Sequence, residues 1–190
     1  MIIGIAGKAQ AGKDTTAQML QILLSYPDIT WDMYWKSDIT LPQDHFIRHY
    51  ADLLKEVSQE MLDMPFDDFN SQEVKQIYIP WINMTVREFL QKLGTAVRKE
   101  IDPEFWVKAL FNTYHSGNVI IADVRFPNEA EAIKARGGKL VRIERPGAGA
   151  GNHISETALD DYKGWDIVID NVGTLEDLFK VVKFHVHNSL

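Results

Sequence analysis

Short β-branched runs that end at glycine or a carboxylate alternate with segments whose apolar residues recur every three to four positions. Ile2 to Ala6 is the first such run, and it reads as a buried strand. From Asp14 the period changes to that of a helix, with Met19, Leu20, Leu23 and Leu24 on one face before Pro27. His45 to Tyr50 reads as a strand. The next helix carries Leu53, Leu54, Val57 and Met61 on one side and stops near Pro65. Thr85 and Glu88 form a capping box, with Phe89, Leu90, Leu93 and Val97 behind it. Asp102-Pro103-Glu104 is predicted to start another helix, since proline at the first helical position loses no needed hydrogen bond.

Val119 to Ala122 is the clearest buried strand, and it ends at Asp123. Pro127 to Arg136 reads as a helix closed by Gly137-Gly138. Leu140 to Ile143 and Ile167 to Ile169 read as strands. Thr174 caps a last helix bearing Leu175, Leu178, Phe179 and Val182. Apolar strands alternating with helices predict an α/β fold, a parallel sheet covered by helices on both faces. Ligands of such sheets bind beyond the carboxyl ends of the strands. Residues 25–43, with Trp31, Tyr34 and Trp35, show no clear period.

Composition narrows the class. The chain has 190 residues, 45% of them hydrophobic, enough for one packed domain with small appendages. Twenty Lys and Arg against 27 Asp and Glu leave a net charge of −7, which argues against non-specific binding to nucleic acid or an anionic membrane. The absence of cysteine excludes disulfides and thiolate metal sites and fits a cytoplasmic setting. No apolar run approaches the roughly 18 residues of a membrane span. Gly147 to Gly151 alternates glycine and alanine and reads as a flexible loop.

The chemistry is concentrated at predicted strand ends. Gly7-x-x-x-x-Gly12-Lys13 follows a buried strand and opens a helix, the setting a phosphate-binding loop requires. Glycines let backbone N–H groups wrap an anion, and the helix N-terminus adds a favourable field. Lys13, read as exposed on this loop, would reach the terminal phosphates. The plain alternative is two turn glycines and a solvated lysine. Asp14 stands where serine or threonine is usual. It is a first-turn acid favoured by the helix dipole, a hard-oxygen ligand for Mg²⁺, or a change that repels ATP. Thr15 keeps a hydroxyl one position later.

Asp123, at the end of a buried strand, occupies the position of a second Mg²⁺-organising acid, or else caps the following turn. Arg125 has the planar fork that suits phosphate. Arg142 and Arg145 flank the end of another strand, before the glycine-rich loop. A surface ion pair is the plainer role, more so for Arg142 than for Arg145. His153 and Glu156, in "NHISE", lack a nucleophile elbow or metal spacing and suit a supporting or lid role. Asn171, Gly173 and Thr174 follow the last strand, where a loop packs against a donor base or simply caps a helix. No Asn-Lys-x-Asp guanine-reading motif is present.

Taken in order, "GKAQAGKDTTA", "YADLLKEV", "REFLQKLGTAVRKEIDPEFWV", "IADVRFPNEAEAI", "VRIERPG" with "HISE", and "DNVGTLEDL" resemble the bacteriophage-type deoxynucleoside monophosphate kinases. The resemblance implies a P-loop kinase fold. That fold is a three-layer sandwich with a five-stranded parallel sheet, a monophosphate-binding arm at about 51–100 and a lid at about 145–160, in a single domain. It implies a cytoplasmic transferase that moves the γ-phosphoryl group of ATP to a dNMP with Mg²⁺, its oligomeric state open and a homodimer included. Gly7, Ala9, Ala11, Gly12, Lys13, Asp14, Thr15 and Thr16 would hold ATP, with Asn171 and Thr174 near adenine. Lys55, Arg98, Trp106 and Glu156 would face the acceptor. Asp123 and Arg125 would lie between the nucleotides, Arg145 would act from the lid, and Asp14 and Asp123 would serve the metal. The segment Tyr50-Ala51-Asp52-Leu53 departs from the family's Phe-Ala-Asp-Pro, which puts the role of Lys55 in question. Base choice would depend on residues 64–95, Trp81 among them. Dephospho-coenzyme A kinases, phosphomevalonate kinases and a catalytically silent nucleotide-binding protein are the rival readings.

Overall fold

The structure, a computed structural model, describes residues 1–36, 39, 44–114, 117–149 and 154–190. Two compact units are present, Met1–His49 with Ser116–Leu190, and Tyr50–His115.

The first unit is built on five parallel strands. They are β1 (Ile2–Ala6), β2 (His45–Arg48), β5 (Asn118–Val124), β6 (Lys139–Glu144) and β7 (Ile167–Asp170), side by side in the order β2-β5-β1-β6-β7. Ile3 and Ile5 point from β1 to a face covered by α1 (Lys13–Ser25) and α8 (Leu175–Asn188). Leu20 and Leu23 of α1 and Leu178, Phe179 and Val182 of α8 complete that core. Gly4 points to the other face, where α6 (Pro127–Lys134) lies so close that a β-carbon would stand 2.5 Å from Ile133 Cδ1. A small residue in mid-strand thus seats the third layer. The expected α/β sandwich with a five-stranded parallel sheet is what the chain forms.

From β1 the chain runs to the β2 side, and from β6 it runs to the β7 side. The adjacent carboxyl ends of β1 and β6 therefore form the switch point at which ligands of open α/β sheets bind.

Residues 25–43 contain a short helix, α2 (Trp31–Lys36). Its Trp31 and Tyr34 rings lie 5.5 and 5.0 Å from Phe179 of α8, so α2 is held by aromatic packing. The expected capping box of α4 (Val86–Glu100) forms through Thr85 with Glu88, and the expected Thr174 cap of α8 proves to be a second box, with Asp177. α6 closes as expected, with the N–H of Gly138 donating to the Ile133 carbonyl at 3.0 Å.

The second unit holds α3 (Asp52–Leu62), a two-residue-per-strand hairpin of β3 (Tyr78–Ile79) and β4 (Met84–Thr85), α4 and α5 (Phe105–Thr113). Phe69, Ile79 and Val86 are its buried centre, with Leu62 and Leu90 against them. Two expectations are corrected here. Leu53 and Leu54 of α3 are half-buried but Val57 and Met61 are exposed, so the apolar side is covered over less of its length than the period implied. The helix expected at Asp102 starts at Phe105, because Asp102 folds a turn ahead of it by accepting the N–H of Glu104 at 2.8 Å. The remaining short helix, α7 (Ile154–Thr157), belongs to the first unit. Among the described residues no helix is long and apolar enough to cross a membrane.

Candidate active site

The loop after β1 takes a shape that only glycine permits at its two ends. Gly7 has φ +153° and Gly12 has φ +101°. A β-carbon on Gly7 would stand 2.6 Å from the Ile143 carbonyl, and one on Gly12 would stand 2.7 Å from Asn171 Nδ2. Gln10, at φ 64°, is the non-glycine residue in the left-handed region within this loop. Between them the Ala11 N–H donates to the Lys8 carbonyl at 3.1 Å, closing the turn.

Lys13 was expected on an exposed loop, yet only 8% of it is exposed. α1 begins at Lys13 itself, so its chain folds back under the loop and Nζ donates to the Lys8 carbonyl at 2.9 Å. Burial holds its pKa below the ordinary lysine value, and the charge of Arg125 adds to that, while Glu156, Asp14 and Asp123 act in the opposite sense. Five charges thus converge on the start of α1.

A cleft of about 450 Å³ opens at the switch point. Gly7, Lys8 and Ala11 from the loop, Arg125 after β5, Glu144 and Arg145 at the end of β6, and Asp170 and Val172 at the end of β7 line it. Glu156 of α7 borders it as well. Lys13, Asp14 and Asp123 do not line the cleft but surround the base of the loop. Asp123 is buried inside β5, and the exposed Asp14 carboxylate lies 3.3 Å from His49 Nε2, just past β2.

Arg125 is fixed at both ends. Its backbone N–H donates to Glu129 at 2.7 Å, and Glu129, 1% exposed, also accepts from Phe126 at 3.0 Å. Its Nη1 donates to Glu156 Oε1 at 2.6 Å, while Glu156 Oε2 accepts the N–H of Ala9 at 2.9 Å. The role of Glu129 was missed in the sequence, although a glutamate at the third helical position, with Pro127 the first, is a capping signal. Two further contacts reach the phosphate loop, one from the glycine-rich segment and one from Asp160, beyond α7. Gly149 N–H donates to the Ala9 carbonyl at 3.0 Å, and Lys8 pairs with Asp160 at 3.2 Å.

Arg142 takes the structural role, pairing with Glu144 at 2.8 Å, donating to the Leu159 carbonyl at 3.1 Å and stacking on Trp165. Arg145 is exposed at the cleft. The hydroxyl of Thr16 is committed to the Gly12 carbonyl at 2.9 Å. Asn171 is buried and donates to the Ala11 carbonyl at 2.9 Å, whereas Thr174 caps α8. His153 and part of the Gly147 to Gly151 run lie outside the described residues.

Lys55, Arg98 and Trp106 belong to the second unit. Lys55 donates to Asn70 at 3.0 Å, pairs with Asp52 at 3.6 Å and lies 5.6 Å from the Phe66 ring centre. Trp106 is buried and its indole N–H donates to the Gly94 carbonyl at 3.1 Å. Trp81 is exposed.

A family model for deoxynucleotide monophosphate kinase matches residues 36–182. The chain belongs to that family. It is accordingly an enzyme, a nucleotide kinase of the phosphotransferase class. The match begins after the phosphate loop, so the loop is assigned on its geometry. A protein of Acanthamoeba polyphaga mimivirus whose description carries the same family name is 29% identical over 100% of this chain and 97% of its own length. The deoxynucleotide monophosphate kinase of Enterobacteria phage T4 is 35% identical over 52% of the chain, and that of Escherichia phage RB69 is 31% identical over 52%. Those alignments cover 44% and 43% of the two phage proteins, so the chain spans less than half the length of each.

Proposed function

We propose that this kinase catalyses ATP + dNMP → ADP + dNDP. The observation that carries the reading is the cleft at the β1–β6 switch point, where Gly7, Lys8 and Ala11 of the phosphate loop and three arginines, Arg125, Arg142 and Arg145, line one cavity. Loop N–H groups and Lys13 would bind the ATP phosphates. Lys55, Arg98 and Trp106, on the second unit, are our candidates for binding the monophosphate, and residues 145–160 for the lid.

An oxygen of the acceptor phosphate attacks the γ-phosphorus, and the bond to the β–γ bridging oxygen breaks, leaving ADP. The acceptor phosphate is largely ionised at neutral pH, so no general base is required. The protein's part is alignment and charge stabilisation. Arg125 and Arg145 would meet charge on the transferring group, and Lys13 would meet it on the loop side. Among the described residues no three His, Asp or Glu side chains form a metal cage. Mg²⁺ is usually held by one or two carboxylates together with substrate phosphates, and Asp14 and Asp123 provide oxygens of that kind. When bound there, the ion would supply positive charge to the nucleotide phosphates.

A coupled ADP-release assay over a panel of deoxynucleoside and nucleoside monophosphates, with ATP and Mg²⁺, tests this directly. Turnover with one or more dNMPs is expected. No turnover with any of them, or turnover only with dephospho-coenzyme A or phosphomevalonate, overturns it. ATP binding without acceptor-dependent ADP release would mark a silent nucleotide binder.

A further inference from the structure

Glu156 is a carboxylate in a cleft that the proposed reaction fills with phosphates. Like charges in one cleft oppose ligand binding unless the carboxylate serves another group. Only 12% of its side chain is exposed, and both oxygens are used. One takes the Nη1 corner of Arg125 at 2.6 Å, and the other takes the N–H of Ala9, in the phosphate loop, at 2.9 Å. Guanidinium is a rigid planar fork, so holding one corner sets the plane in which its other donors point. The main chain of Arg125 is already held by Glu129. A long, flexible side chain is thereby fixed at its root and at its tip, the condition for preorganised charge stabilisation.

We propose that Glu156 is a positioning residue for phosphoryl transfer, its single carboxylate tying the guanidinium of Arg125 to the backbone of the phosphate loop at Ala9. This rests on the kinase reaction proposed above. Both contacts made by Glu156, which was expected to face the acceptor, are with groups of the protein itself. Glutamine fills the same volume but offers one accepting oxygen instead of two, so it keeps one of the two bonds and loses the charge. Aspartate keeps the charge on a shorter arm.

The test is a kinetic cycle on the full chain with Glu156→Ala, Glu156→Gln, Glu156→Asp, Arg125→Ala and the Glu156→Ala/Arg125→Ala pair. Its readouts are kcat and KM with the monophosphate that the parent turns over, ATP affinity by calorimetry, and Tm. Misplacing a reacting group by about 1 Å costs on the order of 100-fold, so Glu156→Ala should lower kcat by about 10- to 100-fold with little change in ATP affinity. Glu156→Gln and Glu156→Asp should fall between it and the parent. In the Arg125→Ala background, Glu156→Ala should cost little more, since residues acting as a unit are non-additive.

An equal loss in both backgrounds would overturn the proposal, as would an unchanged kcat. Tighter ATP binding by Glu156→Ala would also overturn it, showing a carboxylate that merely competes with phosphate. If Glu156→Ala fails to fold, the cycle is run with Glu156→Gln, whose loss must likewise vanish in the Arg125→Ala background. A parent active on dNMPs with an additive cycle refutes this inference alone. A parent inactive on every dNMP refutes the reaction on which it rests.

Discussion

The side-chain amide of Asn171 donates to the backbone carbonyl of Ala11 at 2.9 Å, joining the phosphate loop to the end of β7 across 160 residues of chain. The bond is buried, and the Asn171 N–H in turn donates to the Glu144 carbonyl at 2.7 Å. Asn171 therefore acts as a strut under the loop. Replacing it with alanine removes the donor from a buried carbonyl, at a cost of about 1–3 kcal/mol. Asn171→Ala should lower Tm and weaken binding of ATP and GTP by the same factor, because the loop that holds their phosphates loosens. Calorimetry with both nucleotides checks this. A loss confined to ATP would instead place Asn171 against the adenine ring.

Gly12 is the other half of that relationship. Its φ of +101° and the 2.7 Å approach of Asn171 Nδ2 leave no room for a β-carbon. Alanine at a positive-φ glycine loses more than the 0.4–1 kcal/mol it gains at a compatible site. Gly12→Ala should thus cost about 1 kcal/mol or more and sharply reduce ATP binding. Pairing it with Asn171→Ala removes the clash but not the strain, so the double variant should be less destabilised than the sum of the singles. Denaturant titrations of the three variants measure the difference, and strict additivity would mean that the two residues do not meet.

The strands and most helices were legible because their signals are local. Five short strand runs, the Thr85–Glu88 capping box, the Thr174 cap and the Gly137-Gly138 stop lie within a few residues of the structure they specify. The turn between β1 and α1, and the places of Asp123 in β5 and of Arg125 just after it, were legible for the same reason. α2 escaped because Trp31, Tyr34 and Trp35 stand at helical spacing for a single turn, too short to show a period. The two-residue strands of the β3–β4 hairpin have no period at all. Lys13 was misplaced because its burial depends on where α1 starts relative to the loop. The contacts of Ala9 with Glu156 and of Ala11 with Asn171 bridge 147 and 160 residues. They exist only once parallel strands bring their carboxyl ends together, and no local pattern encodes them.

Asp14 faces His49 at 3.3 Å and lies in the field of Lys13, so its carboxylate is held beside the start of α1. If it lends an oxygen to Mg²⁺ there, Asp14→Ser should keep some activity while shifting the Mg²⁺ dependence of the rate, since a hydroxyl offers a weaker, neutral ligand. Rate against Mg²⁺ concentration at fixed ATP is the measurement. An unchanged profile would return Asp14 to the role of a first-turn acid that interacts with the helix dipole.

Lys13 gives a prediction with a definite sign. Its folded-state pKa is below the ordinary 10.5, chiefly because it is buried and next because Arg125 is near. Below both values Lys13 is charged in the folded and unfolded chains, and its burial opposes folding. As pH rises through the lowered folded value toward 10.5, the folded chain releases its proton before the unfolded chain does. The unfolded state then binds more protons, so the stability contribution of this group increases with pH. Lys13→Met keeps the apolar stem and lacks the charge, and the Lys8 carbonyl retains its bond from the Ala11 N–H. The variant should therefore lose turnover and yet be more stable than the parent at pH 7. That advantage should shrink as pH approaches 10.5. Unfolding free energies of both proteins from pH 7 upward, taken as a difference, isolate Lys13 from every other titrating group. A Lys13→Met variant less stable than its parent at pH 7 would show that the folded chain favours the charged ammonium, and near-normal turnover would show that the phosphate loop is wrongly assigned.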